Sequence, residues 1–549
     1  MDMQIRKDLR YFPRYMVLLV CICLGTACKK DRSIEDRGEP DPVTPVGSRT
    51  ELTLDSLYYY AKQIYYWNDV IPDYQTFNPR QYLGKSDPLN SYDNALYALT
   101  QLKINPQTNI PYEYYGDGFP KYSYIDDLTK SNPSFVSATK TANVDLEGNG
   151  FDFGIRPVFF TSGAEESSSY LLFITAVYPG SPAAAAGVKR GWQIKTVNGK
   201  PVGASYGAEK AQVTSALTGA SVILTGVNFE DSKPFSVTLE KKSYKSSPVY
   251  TSKIIERSGK KIGYLAFARF SEISDLKGNN DINLDPVFAE FSTQGITDLV
   301  VDLRYNGGGY INTSAYLANL IAPAATNGKK MYTEIFNQTM QKGEAKILAN
   351  QPLLDENGKI QTQNGRVYTY ANLNYQQDSP DNNVYFAKKG SLNTVSNVVF
   401  IVSKNTASAS ELLINSLKPY MNVKLVGDTT FGKPVGFFPV TIENRYDVYF
   451  SMFETKNALN EGGYFSGMLP DVLSEFDDPR YEFGDSKEDY LARALQLLVP
   501  AASVSRKGAT MNIRGREIMT STFKAEQSRP VNPHSEFNGM IDKRYKMAK

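Results

Sequence analysis

The chain has 549 residues, 41% of them hydrophobic and 21% charged, which allows several packed domains and excludes wholesale disorder. Sixty basic and 58 acidic residues leave a formal net charge of +2, without the basic footprint of a nucleic-acid binder. One histidine, His534, in a polar C-terminal stretch, and three cysteines at positions 21, 23 and 28 argue against a Ser/His/Asp triad and leave the body of the chain no cysteine nucleophile, disulfide or His/Cys zinc site.

Arg6, Lys7, Arg10 and Arg14 precede the apolar run Tyr15 to Ala27, which is too short to remain as a membrane-spanning helix. A basic flank on a short apolar run predicts a secretory signal over residues 1–27. Its end, Leu24-Gly25-Thr26-Ala27-Cys28, resembles the bacterial lipobox. That resemblance implies a lipid on Cys28 and anchoring in the cell envelope, with the periplasmic face of the outer membrane as the expected address and the cell surface as the alternative. Residues 28–50 are charged and carry Pro40, Pro42, Pro45 and Gly47, so they read as a flexible tether.

Leu54, Leu57, Tyr58, Ala61, Ile64 and Tyr65 recur at helical spacing, with Thr53 or Asp55 as the cap, and a second helix is predicted from about Ser91. These define a small helical domain over residues 51–140. From residue 148 to 245 short strands alternate with Gly, Ser and Asn. Leu171, Phe173 and Thr175 share one face of a strand, Ser181-Pro182 opens a short helix that Gly187 ends, and Trp192-Gln193-Ile194 leads to a turn at Asn198-Gly199. The segment Ser169 to Val202 resembles a PDZ domain of the permuted bacterial type. The resemblance implies a β-barrel that adds an extended peptide as a strand, with Gly150, Phe151, Phe153, Gly154 and Ile155 as its binding loop and edge.

Residues 251–475 contain two continuous apolar runs, Leu299 to Leu303 and Val398 to Val402. Such runs suit strands buried on both faces of an α/β sheet, whose carboxyl ends gather functional groups. Residues 326–392 read as an insertion, and residues 476–549 as one helix followed by a polar tail. Four motifs lie in order: DLRYNGGG from Asp302, NTASASELL from Asn405, VGDTTFGKPVG from Val426 and GMLPDV from Gly467. Together they resemble the C-terminal processing peptidases of the S41 family. The resemblance implies a multidomain α+β chain whose α/β peptidase domain is ClpP/crotonase-like, and a serine endopeptidase that works without metal or cofactor on protein substrates.

Carried over by motif, the nucleophile falls on Ser408 and its base on Lys433, 25 positions on as in the family, with Ser410 as a rival nucleophile. Glu411 falls on the supporting acid; another branch uses an aspartate where this chain has Pro419. A serine hydroxyl needs a base, and a lysine can serve only when neutral, so burial must lower its pKa by about three units. Thr429, Thr430 and Phe431 suggest a slot for that amine, and Glu411 is expected to hold it by a hydrogen bond. The Ala409 amide at the start of the following helix and the Gly307-Gly308-Gly309 loop are the expected oxyanion donors. The competing reading is a non-catalytic envelope lipoprotein that only binds peptides on the same fold.

Overall fold

The computed structural model describes residues 46–499 apart from 86, 117, 130–143, 162–166, 356–357 and 475–476, together with 528–530 and 539–542. Cys28, the signal segment and His534 lie outside the described residues.

Helix α1 (Arg49–Ile64) starts earlier than its apolar spacing suggested because Ser48 and Glu51 cap it reciprocally, side chain to backbone. The expected caps are engaged elsewhere: Thr53 donates to the Glu443 carboxylate, and Asp55 pairs with Arg80. Likewise α2 (Pro88–Thr100) is capped by Asp87, while Ser91 lies buried within it. The described residues of the segment 51–140, up to 129, do not make a core of their own. Leu54, Ile64, Leu96 and Leu99 belong to one cluster with Phe438, Val440 and Phe450, and β1 (Tyr124–Asp127) pairs antiparallel with Tyr446–Tyr449.

The next segment holds β2 (Asn149–Asp152), β3 (Ile155–Thr161), β4 (Tyr170–Val177), α3 (Pro182–Ala185), β5 (Trp192–Val197), α4 (Tyr206–Thr218), β6 (Ser221–Asn228), β7 (Pro234–Glu240) and β8 (Lys242–Lys245). Ser181 caps α3 through its hydroxyl, and Asn198 and Gly199 both take positive φ in the turn after β5. The expected closed barrel is not found. The strands run β7-β6-β5-β4-β3 in an open sheet, β2 pairs separately with β8, and the outer edge of β3 is taken by a segment from the far C-terminus.

After it come β9 (Val249–Arg257), β10 (Lys260–Phe267), α5 (Leu284–Gln294), β11 (Asp298–Asp302), β12 (Gly308–Tyr310), α6 (Ile311–Ile321), β13 (Lys330–Phe336), β14 (Asn397–Val402), α7 (Ala409–Leu417), β15 (Asn422–Gly427), β16 (Phe453–Asn457), β17 (Val472–Leu473) and α8 (Asp489–Leu498). The central sheet runs β9-β10-β11-β14-β15-β17, parallel from β10 onward. Along β14, Val398, Phe400 and Val402 enter the cluster under α6 and α7, while Val399 and Ile401 enter the one under α8. Burial on both faces is why the run lacks polar alternation. The segment 326–392 is more than an appendage: β13 is the middle of a second sheet against β16, and Met331, Phe336 and Met340 join the main core.

Two short strands are described beyond α8. β18 (Ser528–Pro530) is the segment on β3, and β19 (Gly539–Ile541) pairs parallel with β12.

A buried ion network joins the two sheets. Arg190, just before β5, donates to Thr175 O, Tyr305 Oη and Asp477 Oδ1. Arg304 bridges Asp302, Asp477 and Glu488.

Candidate active site

Strand β14 ends at Val402, and the loop that follows delivers Ser408 to the first turn of α7. Ser408 is fully buried and takes φ +61°, an unusual value for a residue other than glycine. Backbone strain of this kind persists only where surrounding contacts enforce it. Here the enforcing group is Glu411, one turn along the helix. Its Oε2 accepts the N–H of Ser408 at 2.8 Å and the N–H of Lys433 at 2.8 Å, and its Oε1 accepts Gly432 N–H at 2.8 Å and the Thr430 hydroxyl.

One carboxylate oxygen therefore ties the backbone of Ser408 to that of Lys433. Their amide nitrogens lie no further apart than twice that hydrogen-bond length. The arrangement differs from the expectation that Glu411 would hold the lysine amine, since its lone pairs are taken by backbone donors and one hydroxyl. Such donors satisfy the carboxylate in the absence of water, although burial still pushes its pKa up.

The Lys433 amine donates to the carbonyl of Tyr122 at 3.2 Å and lies 4.4 Å from the centre of the Phe437 ring. Lys433 is wholly buried, and desolvation brings its pKa from 10.5 down to about 7, against the opposing pull of Glu113 and Glu411. The predicted slot is thus made differently: Thr430 serves Glu411, Phe431 is only partly buried and packs against Tyr115 and Tyr122, and Tyr122 and Phe437 line the amine. Gly432 takes φ +84°, and a Cβ there would fall 2.4 Å from Gly467 N and 2.5 Å from Phe465 O, so only glycine lets the chain pass.

Tyr122 and Glu113 were not singled out by the sequence. The Tyr122 hydroxyl donates to Gly432 O at 2.6 Å while its carbonyl takes the amine, so one residue grips both Gly432 and Lys433. Glu113 is buried and accepts from Ser123 N–H, Ser123 Oγ and Ser451 Oγ. Both stand in a Tyr-rich stretch with no motif, more than 300 residues before Lys433, and nothing local marks them.

Ser408 Oγ is buried and has no hydrogen-bond partner among the described residues. Ser410 is different: its hydroxyl donates to Asn306 O at 3.0 Å, which uses it as a structural tie. Asn306, also unflagged, anchors the glycine loop. Its side chain donates to Phe267 O and accepts from Gly308 N–H at 2.9 Å, and its carbonyl takes Ala407 N–H. The Gly308 amide is therefore occupied in this state, contrary to its expected place as a ready oxyanion donor. The loop nonetheless abuts the helix start: a Cβ on Gly308 would lie 2.9 Å from Ala407 O and 3.0 Å from Ala409 N. Gly307 turns its carbonyl to Gly539 N–H at 3.0 Å.

The predicted peptide-binding residues divide. Phe153 and Ile155 are buried in the core of their own sheet. Gly150 and Phe151 sit in β2 against β8, with the Phe151 ring 54% exposed beside Lys241. Gly154 takes φ +78°, and a Cβ there would lie 1.9 Å from the Ser181 Cβ. Its N–H is held by Asp152 Oδ1 at 2.6 Å, leaving that amide engaged where a terminal carboxylate was expected to bind. The edge that receives an added strand is further along β3, at Val158 to Phe160.

Residues 261–473 match the model described as peptidase family S41. A Staphylococcus aureus protein (strain bovine RF122 / ET3-1) named as a CtpA-like serine protease is 22% identical over 402 residues, spanning 72% of this chain and 69% of its own length. The carboxyl-terminal-processing protease of Synechocystis sp. (strain ATCC 27184 / PCC 6803 / Kazusa) is 24% identical over 377 residues, spanning 68% and 73%. Among solved structures, one named as an S41 protease from Bacteroides fragilis NCTC 9343 superposes with a TM-score of 0.53 at 21% identity, covering 81% of this chain and 96% of that one.

Proposed function

Because this chain is a serine-type peptidase of family S41, related to the carboxyl-terminal-processing proteases, we propose that Ser408 is its nucleophile and Lys433 the base that activates it. The observation that carries this reading is the Glu411 oxygen shared by the Ser408 and Lys433 amides, together with a wholly buried lysine whose pKa desolvation lowers to about 7. In the acylation step the amine takes the Oγ proton as Oγ attacks the scissile carbonyl carbon. The resulting oxyanion is held by Ala409 N–H at the positive end of α7, with the glycine loop alongside. The ammonium then gives its proton to the departing amine, and the first peptide leaves. Water attacks the acyl-enzyme with Lys433 again as base, releasing the second peptide and restoring both groups. Glu411 is a positioning residue, setting the backbone from which both reacting side chains project.

Substrate selection belongs, in this reading, to the β3 sheet acting as a PDZ-like domain. What supports it is that the β3 edge accepts an antiparallel strand by main-chain pairing, which recognises extended peptides irrespective of most side chains. A lipid on Cys28 would hold the enzyme at the cell envelope; Cys28→Ser should move the protein from the membrane fraction to the soluble one. The catalytic reading is tested by incubating denatured protein with the wild type, Ser408→Ala and Lys433→Ala, and analysing fragments by gel and mass spectrometry. Both variants should lose hydrolysis while keeping the wild-type circular dichroism, and fragments from either would remove the pair from the mechanism.

A further inference from the structure

The polar tail has no place in the chemistry above, yet both of its described segments lie on surfaces the peptidase reading needs. Ser528–Pro530 pairs antiparallel with β3, with Ser528 opposite Phe160 and Pro530 opposite Val158. Gly539–Ile541 then pairs parallel with Gly308–Tyr310, the loop beside Ser408. The second contact is two-sided. Gly539 N–H goes to Gly307 O at 3.0 Å on one flank. On the other, Phe437 N–H goes to Met540 O at 3.0 Å and Asp542 N–H to Phe437 O at 2.9 Å. Phe437 is the ring that lines the Lys433 amine. Gly539 O and Ala409 N lie 2.5 Å and 3.0 Å from the same point, the position of an absent Gly308 side chain. Residues 539–542 therefore run between the glycine loop and the backbone of Phe437.

Its side chains are received as well. Met540 is fully buried in the main core, and Ile541 enters a small cluster formed by Tyr124, Leu146, Tyr310, Phe437 and Tyr449. A strand held by backbone bonds on both edges, with an aliphatic side chain in an aromatic pocket, has the chemistry of a bound peptide substrate.

We propose that the two described tail segments, Ser528–Pro530 and Gly539–Ile541, are a tethered substrate mimic: the first occupies in cis the strand-binding edge of β3 and the second the substrate strand beside Ser408, and both compete there with incoming protein chains. The site so marked prefers an extended peptide that places an aliphatic residue in the Tyr124/Tyr310/Phe437/Tyr449 pocket. This inference rests on the peptidase reading for its meaning, but its binding test does not depend on turnover.

Tethering presents the tail at an effective concentration of about a millimolar, so a peptide of ~100 μM intrinsic affinity would lower the apparent affinity for substrate by about ten-fold. A chain ending before Ser528 should show kcat/KM for a denatured protein raised about ten-fold, mostly through KM. A synthetic peptide of residues 528–549 should inhibit that shortened enzyme competitively, and the same peptide with Ile541→Asp should not. A fluorescent copy of the peptide should bind the shortened Ser408→Ala chain and bind the full-length Ser408→Ala chain about ten-fold more weakly. If the shortened chain does not fold, Gly539→Pro in the full chain removes the N–H given to Gly307 and should raise kcat/KM in the same sense. Unchanged or lower kcat/KM on tail release, or a peptide that neither binds nor inhibits, overturns the proposal and leaves the tail a structural strand. Persistent hydrolysis by full-length Ser408→Ala would instead overturn the catalytic assignment while the binding result stood.

Discussion

Replacing Lys433 by methionine should stabilise the protein at neutral pH while abolishing its activity. The amine is wholly buried, and its pKa falls from 10.5 to about 7, chiefly through desolvation. An unfolded lysine is charged at pH 7, so folding removes about half of its proton and raises the free energy by about 4 kcal/mol, taking about 1.4 kcal/mol per unit. Between pH 7 and 10.5 the unfolded chain binds the extra proton, so wild-type stability rises with pH across that window and the cost vanishes above it. Methionine fills a similar volume without the proton cost, but leaves Tyr122 O without its donor, which returns about 1–3 kcal/mol. The net expectation is a variant more stable than wild type by about 1–3 kcal/mol at pH 7, with the gap closing by pH 10. Urea unfolding followed by tryptophan fluorescence and circular dichroism at both pH values measures it. A variant less stable than wild type at pH 7, or a gap indifferent to pH, would refute the claim that this lysine is buried at the expense of its charge.

The same depressed pKa sets the activity profile: kcat/KM should climb about ten-fold per pH unit below 7 and level off above it, as the amine becomes neutral. A rate that falls between pH 5 and 8 would assign the base elsewhere. Glu411→Gln offers one acceptor oxygen where the carboxylate gave two, so at least one of the Ser408, Gly432 and Lys433 amides loses its hold. We expect kcat to drop about a hundred-fold with little change in KM, since a small misplacement of the reacting pair is enough. Arg190→Ala withdraws four side-chain donations that link the β3 sheet to Tyr305, Asp477, Asp478 and Tyr481, and should cost about 3–5 kcal/mol in chemical denaturation. Limited proteolysis should then cut between the two sheets first, and an unchanged cleavage pattern would show that the network does not join them.

The sequence alone determined the chemistry that was available and much of the local structure. With histidine and cysteine missing from the body of the chain, a serine nucleophile would need another base, and the motifs around Ser408 and Lys433 offer both as the proposed pair. Val398 to Val402 declared a strand buried on both faces because hydrophobicity without alternation has few other meanings. Ser181-Pro182 and Asn198-Gly199 announced a helix start and a turn because the backbone preferences of those residues act within a few positions.

Only the tertiary structure decided what surrounds the lysine, because those contacts depend on the pairing of segments hundreds of residues apart. Tyr122 supplies the carbonyl that receives the amine, and Glu411 satisfies the buried backbone N–H groups of Ser408, Gly432 and Lys433. The same holds for the cleft. A polar tail carries no periodicity that foretells a strand, and its place beside Gly308 and Phe437 comes from main-chain groups that every residue shares, so no residue type in the tail advertises where it will pair.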